Sequence, residues 1–398
     1  MKVLLTGSTG YIGRRLKEKL LEDKDIQLRL LVRNKKSISN DIKNKIEIIE
    51  GDTFNKESLK EALKDIDVAY YLIHSLSNDN YKDLDKISAQ NFLDIANLCG
   101  VKKIIYLGGL GVKDKNTSEH LLSRIETGEI LSSNKNVQTI WFRAGVIIGS
   151  GSASFEIIRN LTEKLPIMTT PKWVNTLAQP ICIKDVLTYL KEAIKLETKE
   201  DLIVDIGSKA LTYKDMMMGT ANALGLKRVI IPLPFMSINI SSYWLNLFTP
   251  VPFSVAKALI EGLKSEVVIQ NDNAKKYFPN ITPISYEDSV KNAIKEIEEN
   301  QVISRWNDNA NGVWEKNSSN EISQALYIDR KEFDISNIEA SKVYQSFTSI
   351  GGENGWFTFD FLWEIRGFID KMIGGVGLKR GRRSQCDLRI SDCLDFWK

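Results

Sequence analysis

The residues best suited to chemistry stand at the start of the chain, directly after the apolar run Lys2–Thr6: Gly7, Ser8, Thr9, Gly10, Tyr11, Ile12 and Gly13. The three glycines suit three tasks. Gly7 can make a tight turn, Gly10 lets a phosphate approach the backbone, and Gly13 lets a helix pack closely on a strand. Free N–H groups at a helix start, with roughly half a positive charge from the helix dipole, bind phosphates. The spacing predicts a cradle for the pyrophosphate of a dinucleotide, with an ordinary loop as the alternative.

The residues after the second and third predicted strands bear on which dinucleotide binds. The second strand ends at Val32 without the acid that would bind an adenosine 2′-hydroxyl, and Arg33 follows. Arg33 can pair with a 2′-phosphate through contacts of roughly 1.5–3 kcal/mol each, so we expect NADP, with NAD as the alternative cofactor. A solvated basic turn is the other interpretation of Arg33. Asp52, with Thr53 beside it, is placed to accept a hydrogen bond from the adenine amino group, or is a plain turn residue.

These motifs need a scaffold, and the first 110 residues supply one by alternating strands with helices. The spacing implies right-handed crossovers, and apolar runs such as Val68–Ile73 suit strands buried on both faces. We therefore predict an α/β fold, a doubly wound parallel sheet with a small helical substrate subdomain and a partial C-terminal α+β segment. The predicted helices include Arg14–Leu21, Ser58–Leu63 and Ile87–Leu98.

The length of 398 residues, 43% of them hydrophobic, predicts more than one domain. We assign residues 1–300 to a dinucleotide-binding domain, with the helical subdomain at about 213–300, and the polar stretch 301–321 to a linker. The segment 322–398 is rich in aromatic residues and ends as a strand begins, so we expect it to be an incomplete domain.

Composition argues against several classes of protein. A net charge of +3 gives no footprint for nucleic acid, and four scattered cysteines with two histidines predict neither a disulfide framework nor a metal centre. A strand that starts at Lys2 leaves no room for a signal peptide, so we expect a cytoplasmic protein. The stretch 229–256 has no charged residue but is interrupted by prolines, so it is too short to span a bilayer. It packs on the protein, or else makes peripheral contact with the inner membrane or with another subunit.

Several motifs together resemble one superfamily. The glycine spacing at 7–13, Gly51-Asp52, Ile104–Leu107, and Phe142–Gly145 followed by Ile148-Gly149 make residues 1–295 resemble the extended and atypical short-chain dehydrogenases/reductases. The likeness is strongest to bacterial NmrA-like proteins with a C-terminal domain of unknown function. This resemblance implies a Rossmann fold, NAD(P) binding, and an oxidoreductase or epimerase/dehydratase-like activity. It also implies that the C-terminal segment is truncated here.

The positions that are catalytic in this superfamily differ in this chain. Family members use Tyr-x-x-x-Lys and a serine at the end of the fifth strand, whereas this chain has His120 and Arg124 on the helix and Gly108-Gly109 on the strand. His120 can carry a proton, and Arg124 would favour its neutral form and could touch the cofactor ribose or phosphate. Both are otherwise ordinary residues of a helix surface.

His74, after the fourth strand, is expected near the cofactor ribose, with or without a chemical role. Two hypotheses follow for the whole chain. It is an NADP-dependent oxidoreductase-like enzyme with an unknown small-molecule substrate, or it is a non-catalytic NAD(P)-binding redox sensor or assembly protein.

Overall fold

A parallel sheet forms the centre of the protein in the computed structural model. The structure describes residues 1–35, 38, 46–74, 81–114, 117–198, 200–232, 262, 265–299, 301–304, 335–351, 354–356 and 358–372. The strands are β1 (Lys2–Thr6), β2 (Gln27–Val32), β3 (Glu47–Glu50), β4 (Val68–Tyr71), β5 (Lys103–Gly109), β6 (Gln138–Ala144), β7 (Val146–Ile148), β8 (Ile167–Thr170), β9 (Leu177–Ala178), β10 (Pro180–Cys182), β11 (Leu202–Ile206), β12 (Leu211–Thr212) and β13 (Val229–Pro232).

The order of the seven strands in the main sheet is β3-β2-β1-β4-β5-β6-β11, and every pair in it is parallel. The helices are α1 (Tyr11–Leu21), α2 (Lys56–Leu63), α3 (Tyr81–Leu98), α4 (Glu119–Leu131), α5 (Ala153–Lys164), α6 (Ile183–Glu192), α7 (Tyr213–Ala223), α8 (Asn273–Tyr277), α9 (Tyr286–Glu298), α10 (Ala340–Thr348) and α11 (Asp360–Met372). The predicted α/β fold with a doubly wound parallel sheet is confirmed.

Helices cover both faces of the sheet because successive side chains of a strand point to opposite faces. In β1, Val3 and Leu5 pack in the cluster that holds α1 and α6, while Leu4 packs in the cluster that holds α2, α3 and α4. All three side chains are fully buried. The sheet therefore has a core on each side, and its strand ends are the place left for a site.

The three helices predicted above all begin earlier than the sequence pattern indicated, and α2 does so by two residues, at Lys56 rather than Ser58. Helix α1 starts at Tyr11 rather than Arg14, because the end of the glycine loop is already its first turn. Helix α3 starts at Tyr81 rather than Ile87. Its first turns are polar because they pair with α4, with N–O distances of 2.7 Å for Lys82–Glu119 and 3.1 Å for Lys86–Glu126. Apolar periodicity does not detect a helix start that is held by ion pairs.

A third core lies beyond the main sheet and is built by β7, β8, α5, α7 and α9 around buried side chains such as Ile148, Phe155 and Val290. We expected residues 213–300 to be mostly helical. The described part does contain α7, α8 and α9, but Val229–Pro232 is the strand β13, which pairs in parallel with β8. The β-branched run Val229–Ile231 explains this difference, because such residues favour a pleated strand.

Some sequence predictions fall on residues outside the described ranges. These are residues 233–256 of the uncharged stretch and residues 305–321 of the linker. Of the segment 322–398, the structure describes α10, α11 and the residues around them, where Phe347, Phe361 and Phe368 are each more than half exposed. Within the part of the chain that is described, no helix is both long enough and apolar enough to cross a membrane.

Candidate functional site

The order of the strands creates a crevice at the carboxyl ends of β1 and β4. The chain runs outward from β1 to β2 and β3, and then returns to place β4 on the other side of β1. Helices on opposite faces diverge at such a reversal, and this is where open α/β sheets bind ligands. The glycine loop follows β1 and His74 follows β4, so both sequence-predicted groups lie at this edge.

The three glycines of the loop are required for two different reasons. Gly7 has φ of +67°, and a Cβ there would lie 2.3 Å from the carbonyl oxygen of Leu72. A Cβ on Gly13 would lie 2.1 Å from the carbonyl oxygen of Gly7. Gly10 has φ of −79° in the extended region, which any residue can adopt. The fold therefore requires glycine at 7 and 13, whereas Gly10 is explained by the close approach of a ligand.

Helix α1 begins without the N-cap side-chain hydrogen bond that five other helix starts have. Its N-cap Gly10 makes no side-chain hydrogen bond, and its first turn holds no acidic residue. Five other helices have an N-cap side chain that accepts a backbone N–H: Asn55, Ser118, Ser152, Thr212 and Ser285. The unsatisfied N–H groups of α1 suit an anion such as a pyrophosphate.

Two hydroxyl groups beside the loop also lack partners. Ser8 Oγ and Tyr11 Oη are buried, and neither makes a hydrogen bond to any residue that the structure describes. A buried unsatisfied polar group costs about 1–3 kcal/mol, so such a pair beside an uncapped helix suits a polar ligand. Burial raises the pKa of the Tyr11 hydroxyl, which therefore stays protonated and can donate. The residues present thus fit a dinucleotide at this loop.

The residues predicted to recognise the adenosine end lie along the same edge of the sheet. Arg33 follows β2 directly and is exposed, so its guanidinium is accessible to a phosphate group. An acid from the next strand lies close to Arg33. It is Glu50, the last residue of β3, whose Oε2 accepts the backbone N–H of Lys35 at 2.9 Å. Asp52 Oδ1 accepts the N–H of Phe54 at 3.1 Å, which makes Asp52 part of the turn into α2.

Thr53 is buried below this turn, and its Oγ1 accepts a 2.7 Å hydrogen bond from Ser88 Oγ on α3. The hydroxyl of Thr53 is therefore used within the fold.

The two histidines of the chain are in contact, although 46 positions separate them. His74 Nε2 lies 3.1 Å from His120 Nδ1, and His74 Nδ1 lies 2.8 Å from Asp85 Oδ2. The hydroxyl of Ser123 donates to the same oxygen of Asp85 at 3.0 Å. These contacts form a linear chain from carboxylate to imidazole to imidazole, which we call the relay: Asp85, His74 and His120. It joins the end of β4 to helices α3 and α4.

Both histidines of the relay are held in the neutral state. Burial lowers the pKa of His74, Arg124 lowers it further, and Asp85 opposes the shift. Burial lowers the pKa of His120 well below its usual value, with further lowering by Arg124 and His74. Near pH 7 each imidazole therefore carries one proton rather than two. In the described ranges, no group of three or more His, Cys, Asp or Glu side chains is arranged to hold a metal ion.

Arg124 lies one helical turn after His120, and its Nε is buried without a hydrogen-bond partner among the described residues. A Cβ on Gly109 would approach Leu121 Cδ1 to 2.7 Å and Arg124 Cδ to 3.4 Å. A side chain at this position, such as the serine of the resembled superfamily, would therefore require the Leu121 side chain on α4 to shift.

Sequence reasoning missed Asp85 and Ser123. Asp85 precedes the helix as we predicted it, and nothing in its local sequence marks it as a partner of His74. The spacing of residues could nevertheless have placed Asp85 on a helix. Helical spacing puts it on one face with Ser88, Ala89 and Phe92, and in the structure this face is buried. An acid on the buried stripe of a helix requires a partner.

Family comparisons agree with this geometry. Residues 7–140 match the family model described as NAD(P)H-binding. Residues 322–398 match a family described as a protein of unknown function, DUF2867. The chain thus combines an NAD(P)H-binding domain with a second segment whose family has no described role.

A curated relative covers part of the chain. The auxiliary protein GraX of Staphylococcus aureus is 35% identical over 127 residues, which are 30% of this chain and 40% of GraX. The match therefore spans well under half the length of that relative.

Solved structures share the fold at low sequence identity. Triphenylmethane reductase of Citrobacter sp. has a TM-score of 0.61 at 20% identity, over 74% of this chain and 100% of its own. A nucleoside-diphosphate-sugar epimerase of Staphylococcus aureus has a TM-score of 0.61 at 17% identity, over 73% and 100%. The NADPH-dependent quinone oxidoreductase of Escherichia coli has a TM-score of 0.59 at 16% identity, over 72% and 98%. At such identities these likenesses establish the fold.

Proposed function

We propose that this protein, whose residues 7–140 form an NAD(P)H-binding Rossmann domain, is an oxidoreductase that acts on a small molecule through His120. The observation that carries the proposal is the relay, which ends at His120 Nε2 on the edge of the sheet where the glycine loop lies. No described residue forms a hydrogen bond with that nitrogen. A hydride transfer to or from a carbon–oxygen bond also moves a proton, and a histidine in hydrogen-bond reach can carry it.

Each group at the site has a part in this proposal. The N–H groups of α1, with Ser8 Oγ and Tyr11 Oη, would hold the pyrophosphate of the cofactor. Arg124, with its unpartnered Nε, would bind the ribose hydroxyls or a phosphate. NAD(P)(H), when bound, supplies the hydride donor or acceptor. His120 holds or releases the proton at Nε2, and the substrate, whose identity is unknown, would lie beside it.

The test is turnover of NADPH and of NADP⁺ with a panel of quinones, aldehydes, enones and alcohols. For any member that reacts, we expect His120→Ala to lower kcat at least tenfold, because proton transfer by a positioned side chain contributes about 10²–10⁴-fold. The affinity for the cofactor should not change. Glu129→Gln is the matched control, since this exposed residue of α4 pairs only at the surface, with Lys113. Equal kcat values for wild type and His120→Ala would remove His120 from the mechanism.

We further propose that NADP(H) is preferred over NAD(H), because Arg33 is exposed after β2 and β2 ends without an acid. Titration of both cofactors should give a wild-type preference of about ten- to hundredfold, as expected for one charge-assisted contact. Arg33→Ala should abolish the preference by weakening NADP(H) alone. Lys35→Ala, two residues on, is the control for a general loss of positive charge. Equal wild-type affinities for the two cofactors would contradict the proposal.

The second candidate is a non-catalytic NAD(P)-binding protein of the cytoplasm, such as a redox sensor or an assembly protein. It is favoured by the absence of the Ser-Tyr-Lys pattern, and the name of the partial relative, an auxiliary protein, suits such a role. In this role the uncharged stretch 229–256 would contact another subunit or the surface of the inner membrane. Cofactor binding without turnover of any panel member would support this candidate.

A further inference from the structure

We infer that Asp85 fixes the direction of every hydrogen bond in the relay, so that His120 presents an unprotonated Nε2 and the site takes a ligand that bears a hydroxyl group. This inference rests on the proposed function for the identity of the reaction. The protonation pattern itself does not depend on whether the protein turns over a substrate.

The direction follows from counting protons along the relay. A carboxylate only accepts hydrogen bonds, so the 2.8 Å contact with Asp85 requires the proton of His74 to be on Nδ1. A neutral imidazole has one N–H, so His74 Nε2 is a lone pair. The 3.1 Å contact between His74 Nε2 and His120 Nδ1 then requires the proton of His120 to be on Nδ1. His120 Nε2 is therefore an acceptor.

The count assumes that Asp85 only accepts hydrogen bonds and that both imidazoles are neutral, and the surroundings of the relay support both assumptions. Ser123 Oγ donates to the same Asp85 oxygen, which suits a carboxylate that accepts two hydrogen bonds. The imidazoles are neutral near pH 7 because burial and Arg124 lower the pKa of each. The remaining charges between α3 and α4 are paired with each other, as Lys82 with Glu119 and Lys86 with Glu126, and these pairs hold the two helices together.

The protonation pattern selects the class of ligand. A lone pair on His120 Nε2 accepts a hydrogen bond from an alcohol, whereas a carbonyl oxygen would bring a second lone pair against it. In the reaction, the hydroxyl proton of the alcohol passes to Nε2. The O–H electron pair would become the second bond of the carbonyl group, and the hydrogen of the C–H bond would leave with its electron pair as a hydride, for which bound NAD(P)⁺ would supply the acceptor. The products are an aldehyde or ketone, NAD(P)H and an imidazolium.

Asp85 acts through His74 and is therefore a positioning residue. It orients the tautomers, and its negative charge stabilises the imidazolium formed at the other end of the relay. The reverse reaction needs a proton on His120 first. The resting site is thus set for oxidation of an alcohol, and reduction of a carbonyl would be faster at lower pH.

The experiment is ¹⁵N NMR of the imidazole groups in the full chain at pH 7, without any ligand. The chain has only two histidines, so the spectrum holds two imidazoles and the tautomers can be assigned directly. We expect Nδ1–H on both. A proton on His120 Nε2, or averaged tautomers, would overturn the inference, and the wild type decides this without a variant.

A variant then tests the part of Asp85. In Asp85→Asn the amide can donate to His74 Nδ1, so we expect both tautomers to change to Nε2–H, with His120 Nε2–H pointing outward. Asp83→Asn, at an exposed position of the same helix, should leave both tautomers unchanged. Unchanged tautomers in Asp85→Asn would show that another group sets the direction.

The outcomes separate the inference from the proposed function. Two Nδ1–H tautomers without turnover of any panel member would leave the relay as described and remove the oxidoreductase. Turnover with His120 Nε2–H in the wild type would keep the oxidoreductase and remove the inference. If both stand, the panel should show at least tenfold faster turnover of an alcohol with NADP⁺ than of its carbonyl counterpart with NADPH at pH 8.

Discussion

Two groups of polar side chains differ in whether their hydrogen bonds are satisfied within the described residues: one group is closed, whereas the other is open. The closed group surrounds Arg15, whose guanidinium binds Ser304 Oγ at 3.1 Å, Glu296 Oε2 at 3.2 Å and Ser150 Oγ at 2.8 Å. The hydroxyl of Ser150 also donates to Glu296. These contacts tie α1 to α9, which begins 275 residues later in the chain than α1 does.

The open group lies at the carboxyl edge of the sheet and comprises Ser8 Oγ, Tyr11 Oη and His120 Nε2. None of these atoms has a hydrogen-bond partner within the described ranges. Tyr11 is one helical turn from Arg15, and the Arg15 guanidinium lies 5.2 Å from the centroid of the Tyr11 ring. Helix α1 thus contributes Arg15 to the closed group and Tyr11 to the open group. Closure of a polar group indicates a role in stability, whereas unsatisfied polar atoms at the edge where the cofactor loop lies suit a ligand.

The largest expected effect comes from opening the closed group. Arg15→Met removes the partner of Glu296, whose side chain is only 18% exposed. We expect the free energy of unfolding to fall by about 3 kcal/mol, because a largely buried charge without its partner is costly. Urea denaturation measures this.

Lys102→Met is the control for this experiment, since it breaks the pair with Asp67 at a lysine that is 77% exposed. Its effect should stay within about 1 kcal/mol. If the two substitutions lowered the free energy of unfolding equally, the contacts of Arg15 would contribute no more to stability than a surface ion pair.

The next effect concerns the open group. Gly10→Val should weaken cofactor binding at least hundredfold, because its side chain fills the space of the pyrophosphate, while the extended backbone of Gly10 accepts valine. Isothermal titration calorimetry measures the affinity, and circular dichroism follows the fold.

Gly13→Val is the contrasting variant, as its Cβ would lie 2.1 Å from the carbonyl oxygen of Gly7 and should disrupt folding itself. An unchanged cofactor affinity in Gly10→Val would place the pyrophosphate elsewhere.

The smallest effect is a dependence of stability on pH that comes from the relay. The pKa values of His74 and His120 are lower in the folded state than the usual value near 6.5, mainly because both side chains are buried. Above pH 6.5 neither state binds a proton. As pH falls below 6.5 the unfolded state is protonated first, so stability decreases until the folded pKa is reached, by at most about 1.4 kcal/mol per pH unit for each histidine.

Replacement of both histidines by glutamine should remove this part of the slope between pH 7 and 5. Carboxylates titrate alike in both proteins, so the difference between their slopes isolates the histidines. Parallel curves would mean that the pKa values of the two histidines are the same in the folded and unfolded states.

The sequence predicted the parts of the fold that depend on local patterns. Alternating apolar strands and amphipathic helices gave the parallel sheet, and strand β1, the glycine loop and strand β2 were placed correctly. One prediction failed where the local apolar pattern is absent, because the start of α3 is polar and pairs with α4. Another failed because a local pattern was overlooked: the β-branched run Val229–Ile231 favours the strand that pairs with β8.

The sequence by itself determined the cofactor loop, because three glycines between a strand and a helix specify a turn and a helix start within seven residues. The resemblance to the superfamily also brought His120 and Arg124 to attention, because they stand at the positions of its Tyr-x-x-x-Lys motif. Only the tertiary structure decided that His74, Asp85 and His120 form one relay. Their contact depends on the order of β1 and β4 and on the packing of α3 against α4. Such distances are set by the whole sheet, and no local spacing in the sequence encodes them.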